Sequence, residues 1–134
     1  MNKNFIIVAL ILLASILVLS RCGVETYAQG KRIYEAKCAN CHMEDGSGLA
    51  LLIPPLAKSD YLALNQDKVP CIILHGQIGK ITVNRKEYNQ EMPAEQYNEV
   101  QITNVINYIN TAWGNQLPAV SLAETKKRLE DCSL

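Results

Sequence analysis

The segment Cys38-Ala39-Asn40-Cys41-His42 sets two thiols and an imidazole almost side by side. Cysteines three positions apart share one helical turn, so both sulfurs can point the same way. They can then bond the two vinyl groups on one edge of a porphyrin, and the adjacent imidazole can offer a nitrogen to iron. Cys-x-x-Cys-His is the spacing of covalent haem attachment. Two other chemistries use a Cys-x-x-Cys pair. A thioredoxin-type dithiol belongs to an alternating strand–helix pattern, which this sequence lacks. A structural zinc site draws four ligands, usually from two such pairs. There is no second pair here, and the only other histidine is His75. The motif points to one haem, held through Cys38 and Cys41 with His42 on the iron.

An electron-carrying iron needs a second axial ligand on the other ring face. Met43, Met92 and His75 are the candidates. Met43 adjoins His42 and cannot reach across. Met92 sits in a polar stretch, after Asn89-Gln90-Glu91 and before Pro93. That position does not fit a core periodicity, where methionine is a gap filler. A thioether is soft and neutral, so it favours Fe(II) and raises the potential. Met92 is the expected ligand. His75 is the rival, and a surface histidine is its more ordinary role.

The elements that must position these groups read as helical. A short helical pattern covers 23–37, and a Gly-rich turn follows His42 at Asp45-Gly46-Ser47-Gly48. Pro54-Pro55 breaks regular structure. Asp60 is placed to cap a short helix through Leu64, and a helix from near Pro70 ends at Gly76. Residues 77–93 read as irregular, with a short extended piece at 81–83. The strongest helix runs from about Glu99 to Trp113. Asn98 and Gln101 form a capping box at its start, and Ile102, Val105, Ile106, Ile109 and Trp113 share one apolar face. Gly114 stops it. Ser121 with Glu124 opens a charged helix ending near Asp131. Long loops in so small a domain make sense if they wrap a cofactor.

The chain has 134 residues, enough for one compact domain. Charge balances at 13 basic and 13 acidic residues. Without Lys3 and Arg21 the balance is −2, with no basic excess for nucleic acid. The uncharged apolar run from Phe5 to Leu19, after Lys3, suits a secretory signal or a marginal anchor helix. Leu19-Ser20-Arg21-Cys22 looks like a lipoprotein signal with Cys22 as the acylated residue. Arg21 is the departure, because a small residue normally precedes that cysteine. The alternatives are an uncleaved anchor or a free thiol. Each reading puts the domain outside the cytoplasm. We expect it tethered to the periplasmic side of a bacterial cytoplasmic membrane, with residues 1–22 as signal or anchor. Cys71 and Cys132 remain. An oxidising compartment would permit a bridge between them, worth roughly 4 kcal/mol on the chain-entropy model; two unrelated thiols are the alternative.

With these residues in place, the sequence resembles a monohaem class I cytochrome c over about Gln29 to Asn115. Gly30 with Tyr34, and Val105 with Tyr108, resemble the family's crossing pair of first and last helices. Pro54-Pro55-Leu56 resembles the loop whose proline carbonyl accepts a hydrogen bond from the axial histidine. Such a bond orients the ring and increases its donation to iron. Pro55 is the preferred acceptor of the two. Gly76-Gln77-Ile78-Gly79-Lys80-Ile81-Thr82-Val83, then Tyr88 and Met92-Pro93, resemble cytochrome domains that accompany terminal oxidases or membrane dehydrogenases, and Tyr88 joins the expected haem-contacting set. The resemblance implies an all-α cytochrome c fold over 23–115, with three to five short helices and long loops around one haem. The helical extension at 116–134 departs from it, as do Cys71 and Cys132. It also implies a monomeric, non-enzymatic one-electron carrier between membrane-bound redox proteins. A fixed cytochrome subunit of an oxidase or dehydrogenase is the alternative. A haem sensor or peroxidase-like protein is implied only if Met92 is off the iron.

Overall fold

The structure is a computed structural model that describes residues 27–132. The expectations for the apolar leader and for Cys22 lie outside those residues.

Five helices and one β-hairpin form among the described residues. Helix α1 covers residues 28–42 in three consecutive stretches: an α-helix Ala28–Ile33, a π-helical turn Tyr34–Cys38 and an α-helix Ala39–His42. The Ala39 amide donates to the Tyr34 carbonyl, five residues back. A π turn inserts one extra residue and often lies at a functional site; here it ends on Cys38. Helix α2 is Asp60–Leu64 and α3 is Val69–His75. Strands β1 (Ile81–Val83) and β2 (Lys86–Tyr88) pair antiparallel, Ile81 opposite Tyr88. Helix α4 is Glu99–Thr111, followed by a tight 3-10 turn Ala112–Gly114, and α5 is Leu122–Glu130.

Helix α4 organises the core. Its buried Ile102, Val105, Ile106 and Ile109 follow helical spacing and pack with Tyr34, Leu62, Val69, Ile73 and Val120. Helix α1 crosses it at Gly30, where any Cβ would collide with the Asn104 backbone carbonyl and lie 2.8 Å from the Tyr108 Cβ. Only glycine permits this approach. Above the crossing, Tyr34 packs on Trp113 and Tyr108 at ring separations of 4.8 and 5.5 Å.

Both expected capping boxes are present, Asn98 with Gln101 on α4 and Ser121 with Glu124 on α5. Three local expectations are corrected. Ser59, not Asp60, caps α2: its hydroxyl accepts from the Leu62 amide at 3.1 Å. Asp60 instead exchanges hydrogen bonds with Asn84, accepting from its amide at 2.7 Å. Second, 86–88 is a strand rather than irregular. Asn84 and Arg85 both take positive φ, as a two-residue hairpin turn requires. Third, Trp113 falls outside α4. Its φ of 53° turns the chain back, so its indole donates to the Glu44 carbonyl at 2.9 Å.

The C-terminal extension is packed into the domain. Thr103 on α4 donates to Thr125 on α5 at 2.8 Å. Buried Asn107 brackets Val120, donating to its carbonyl and accepting from its amide. Cys71 on α3 is joined to Cys132, just after α5, by a disulfide closing 61 residues of chain.

Candidate functional site

One cleft collects most of the residues singled out in the sequence. Cys38, Cys41 and His42 line it from the end of α1. Ile53, Pro54, Pro55 and Leu56 line it from the loop after α1. Leu62, Val69, Ile72 and Ile73 come from α2 and α3, Val105 and Ile109 from α4, and Val83 and Met92 from the hairpin and the strap that follows it. The walls are overwhelmingly apolar. Such a space suits a flat hydrophobic ligand held by a few well-placed polar atoms.

His42 is one of those atoms. It is buried, and burial lowers its pKa below the ordinary 6.5, partly offset by its bond to Pro54. The ring is therefore neutral at pH 7. Its Nδ1 lies 3.1 Å from the Pro54 carbonyl; with the proton on Nδ1 donated there, Nε2 keeps its lone pair for a metal. The acceptor is thus Pro54, which corrects the expectation of Pro55. The reason is the turn before it. Leu49 and Ile53 form a bridge, and Gly48, at φ 71°, lets the chain fold so tightly that a Cβ there would sit 2.7 Å from the Pro54 oxygen. This turn aims the first proline's carbonyl back at α1. Pro55 still lines the cleft.

The two cysteines differ in exposure. Cys41 is exposed, and Cys38 is partly buried with its thiol pushed up to about 11, by burial first and then by Glu95 and Cys41. Neither sulfur is in a disulfide.

Met92 is held by its backbone. It exchanges two hydrogen bonds with Gln77, both 3.0 Å, and its carbonyl lies 2.5 Å from where a Cβ on Gly76 would be. The strap continues to Glu95, whose amide donates to the Ile73 carbonyl at 3.0 Å. Met92 thus hangs from the C-terminal end of α3. His75, the rival, is exposed on that helix and faces a second, more polar cleft with Lys68 and Arg128. Tyr88 is buried in β2 opposite Ile81, but it is not among the residues lining the cleft; Tyr61 is.

Two residues that the sequence offered only within the family resemblance position the site. Asn115 accepts from the Lys58 amide at 2.7 Å and donates to the Leu56 and Ile109 carbonyls, pinning the loop after Pro55 to the end of α4. The Tyr34 hydroxyl donates to the Met43 carbonyl at 2.7 Å, fixing the chain just beyond His42. Outside the cleft, Leu49, Leu51 and Leu52 stand exposed in a stretch, 46–57, that has no charged residue.

Comparison with known proteins agrees with this geometry. The family model described as Cytochrome c matches residues 27–113. A cytochrome c-552 of Thermus thermophilus is 37% identical over 93 residues, covering 66% of this chain and 70% of that protein. The cytochrome c subunit of a quinone alcohol dehydrogenase from Gluconacetobacter polyoxogenes is 31% identical over 109 residues, covering 76% of this chain. The match spans only 22% of that subunit. A Gluconobacter oxydans subunit of the same description is 28% identical over 102 residues, or 21% of its length.

Proposed function

The chain belongs to the cytochrome c family and is a haem-binding electron carrier; from that premise we propose that a single haem c would be held through Cys38 and Cys41, with His42 and Met92 as the side chains that would bind its iron. The observation that carries the reading is the placement of Met92 and a neutral, correctly oriented His42 around one apolar cleft. When bound, haem supplies a one-electron Fe(II)/Fe(III) couple. The chain's part is to hold, tune and insulate it. Pro54 fixes the imidazole tautomer and ring angle. Gln77 and Gly76 set the height of the methionine strap. The apolar walls keep water away and disfavour the extra positive charge of Fe(III), which raises the potential.

The carrier works at a membrane surface on the periplasmic side in this proposal. The run from Phe5 to Leu19 with Cys22 is its tether, through acylation or as an uncleaved helix. Tethering raises its concentration near membrane-bound donors and acceptors. It works as a monomer in this proposal and meets its redox partners through small, transient contacts. A second reading is favoured by the dehydrogenase relatives: the chain is a fixed subunit of a membrane dehydrogenase or oxidase. Co-purification after gentle solubilisation separates the two. A free monomer in every preparation rejects the fixed subunit, and a stable complex rejects the mobile carrier.

The deciding experiment is an oxidised and reduced absorption spectrum of the holoprotein, with haem quantified per chain. The expected result is one haem and a low-spin spectrum with the weak red-edge band of a sulfur–iron bond. A low-spin spectrum without that band turns the assignment to His75. A high-spin spectrum means an open iron and rejects the carrier in favour of a sensor or peroxidase-like role.

A further inference from the structure

The residues around the cleft form a frame with one covalent joint. On one side, α1 carries Cys38, Cys41 and His42, and crosses α4 at Gly30. Helix α4 holds α5 through the Thr103–Thr125 and Asn107–Val120 hydrogen bonds. Helix α5 leads to Cys132, and the disulfide closes onto Cys71 of α3. The far end of α3 carries the Met92 strap, at Ile73, Gly76 and Gln77. The frame therefore runs from one axial residue to the other.

Helix α3 is the weak member. It has seven residues, too few to hold its shape alone. Its ends lie in loops, and its position is set by what it packs against. Ile73 and Val69 face the core and cleft. On its other side the ties to the extension are the disulfide itself and the Arg128 guanidinium donating to the Gln66 carbonyl at 2.8 Å in the turn before α3; the Gln66 side chain is also paired with Asn110 on α4.

We propose that the Cys71–Cys132 disulfide is a positioning device for the sixth ligand, holding α3 so that its C-terminal end keeps Met92 seated. This rests on Met92 being an axial ligand. Opening the bond removes the one covalent tie of α3 to the extension, leaving the Arg128–Gln66 and Gln66–Asn110 hydrogen bonds in the turn before it and the contacts of its core face. The strap gains freedom to lift, and the iron becomes accessible to external ligands more often. Reduction is a balanced two-electron step: a dithiol reductant is oxidised to its disulfide as Cys71 and Cys132 become two thiols.

The test is imidazole binding to the oxidised holoprotein, with the red-edge band followed in parallel. Three proteins are compared: the parent, Cys71→Ser/Cys132→Ser, and Ser121→Ala. The last weakens the start of α5 but leaves the disulfide in place. The expected result is about tenfold tighter imidazole binding for the double variant, with earlier loss of the band, and parent behaviour for Ser121→Ala. Equal imidazole affinity in parent and double variant overturns the proposal. An equal rise in Ser121→Ala overturns it too, because general loosening would then suffice. If the double variant yields no holoprotein, parent holoprotein is reduced with dithiothreitol, its thiols capped with iodoacetamide and its iron reoxidised, and the same comparison is read. A parent without the red-edge band overturns the Met92 assignment and this inference together. A parent with the band and no response to opening the disulfide overturns this inference alone.

Discussion

At the residue scale, the cleft depends on a few atoms whose replacement has distinct signatures. Met92→Ala removes the only thioether lining the cleft among the described residues. It should lower the potential by a sizeable part of the ~0.8 V that axial ligation spans, and allow carbon monoxide to bind the reduced iron. An unchanged potentiometric titration and spectrum would remove Met92 from the iron. His42→Ala should abolish a stable low-spin holoprotein, and recovery of normal low-spin haem would refute its assignment. His42 also gives the haem-free protein a pH dependence. Its folded pKa lies below the ordinary 6.5 because burial disfavours the charged ring. The unfolded chain therefore binds the proton more readily. The stabilisation from a neutral buried His42 is present above 6.5 and is lost as pH falls through and below that value. The stability of haem-free protein in chemical denaturation should fall as the pH drops below the ordinary histidine value, and a flat profile would contradict a buried neutral ring. Most of this scale was legible in the sequence, because Cys38, Cys41 and His42 are contiguous and Met92 stands outside any core pattern. Pro54 was not. Which of two adjacent carbonyls faces the imidazole depends on the Gly48 turn, a tertiary fact that composition does not encode.

At the element scale, two positions separate packing from propensity. Gly30→Ala pushes a methyl group into the Asn104 carbonyl on α4. Backbone cannot yield as a flexible side chain would, so we expect a loss of about 2 kcal/mol or more in chemical denaturation; a loss below a few tenths would mean the helices part easily. Ser121→Ala removes the α5 cap and should cost about 1 kcal/mol. The Glu124 carboxylate is held below its usual pKa by the Ser121 amide and hydroxyl. Its contribution is present above the ordinary carboxylate range and fades as acid protonates it, so α5 should fray first on acidification. Amide exchange on 122–125 reads this directly. Both capping boxes were readable from sequence because each is a local four-residue pattern. The hairpin was not. Asn84-Arg85 lacks the Gly that usually marks such a turn, and its stabilising partner, Asp60, is 24 residues away. The π turn at 34–38 left no signal either: it is a one-residue insertion within a helix, and the sequence showed only a helical pattern there.

At the scale of the molecule, the family match ends at residue 113, and the C-terminal extension beyond it is built in rather than appended. Buried Asn107 and Thr125 find their partners across the contact between α4 and residues 120–125. The sequence allowed a disulfide between Cys71 and Cys132 from compartment and elimination; it could not say that the bond meets the helix bearing the methionine strap. The proposed tether belongs to this scale as well. The full chain should partition with membranes, while a secreted form starting after Cys22 should stay in the aqueous phase with an unchanged spectrum. Equal partitioning of the two would argue against an N-terminal anchor.

The disulfide also changes the connectivity of the polypeptide. From Cys71 to Cys132 the backbone is a closed ring, and the chain before residue 71 is a tail on it. A single protease cut inside the ring, at Lys86 or Arg85 on the exposed hairpin turn for example, opens the circle but detaches nothing. Electrophoresis without reductant should show one species of undiminished mass after such a nick, and two fragments once thiol is added. A cut in the tail between His42 and Cys71 would instead divide the molecule at once, leaving Cys38 and Cys41 on the released piece.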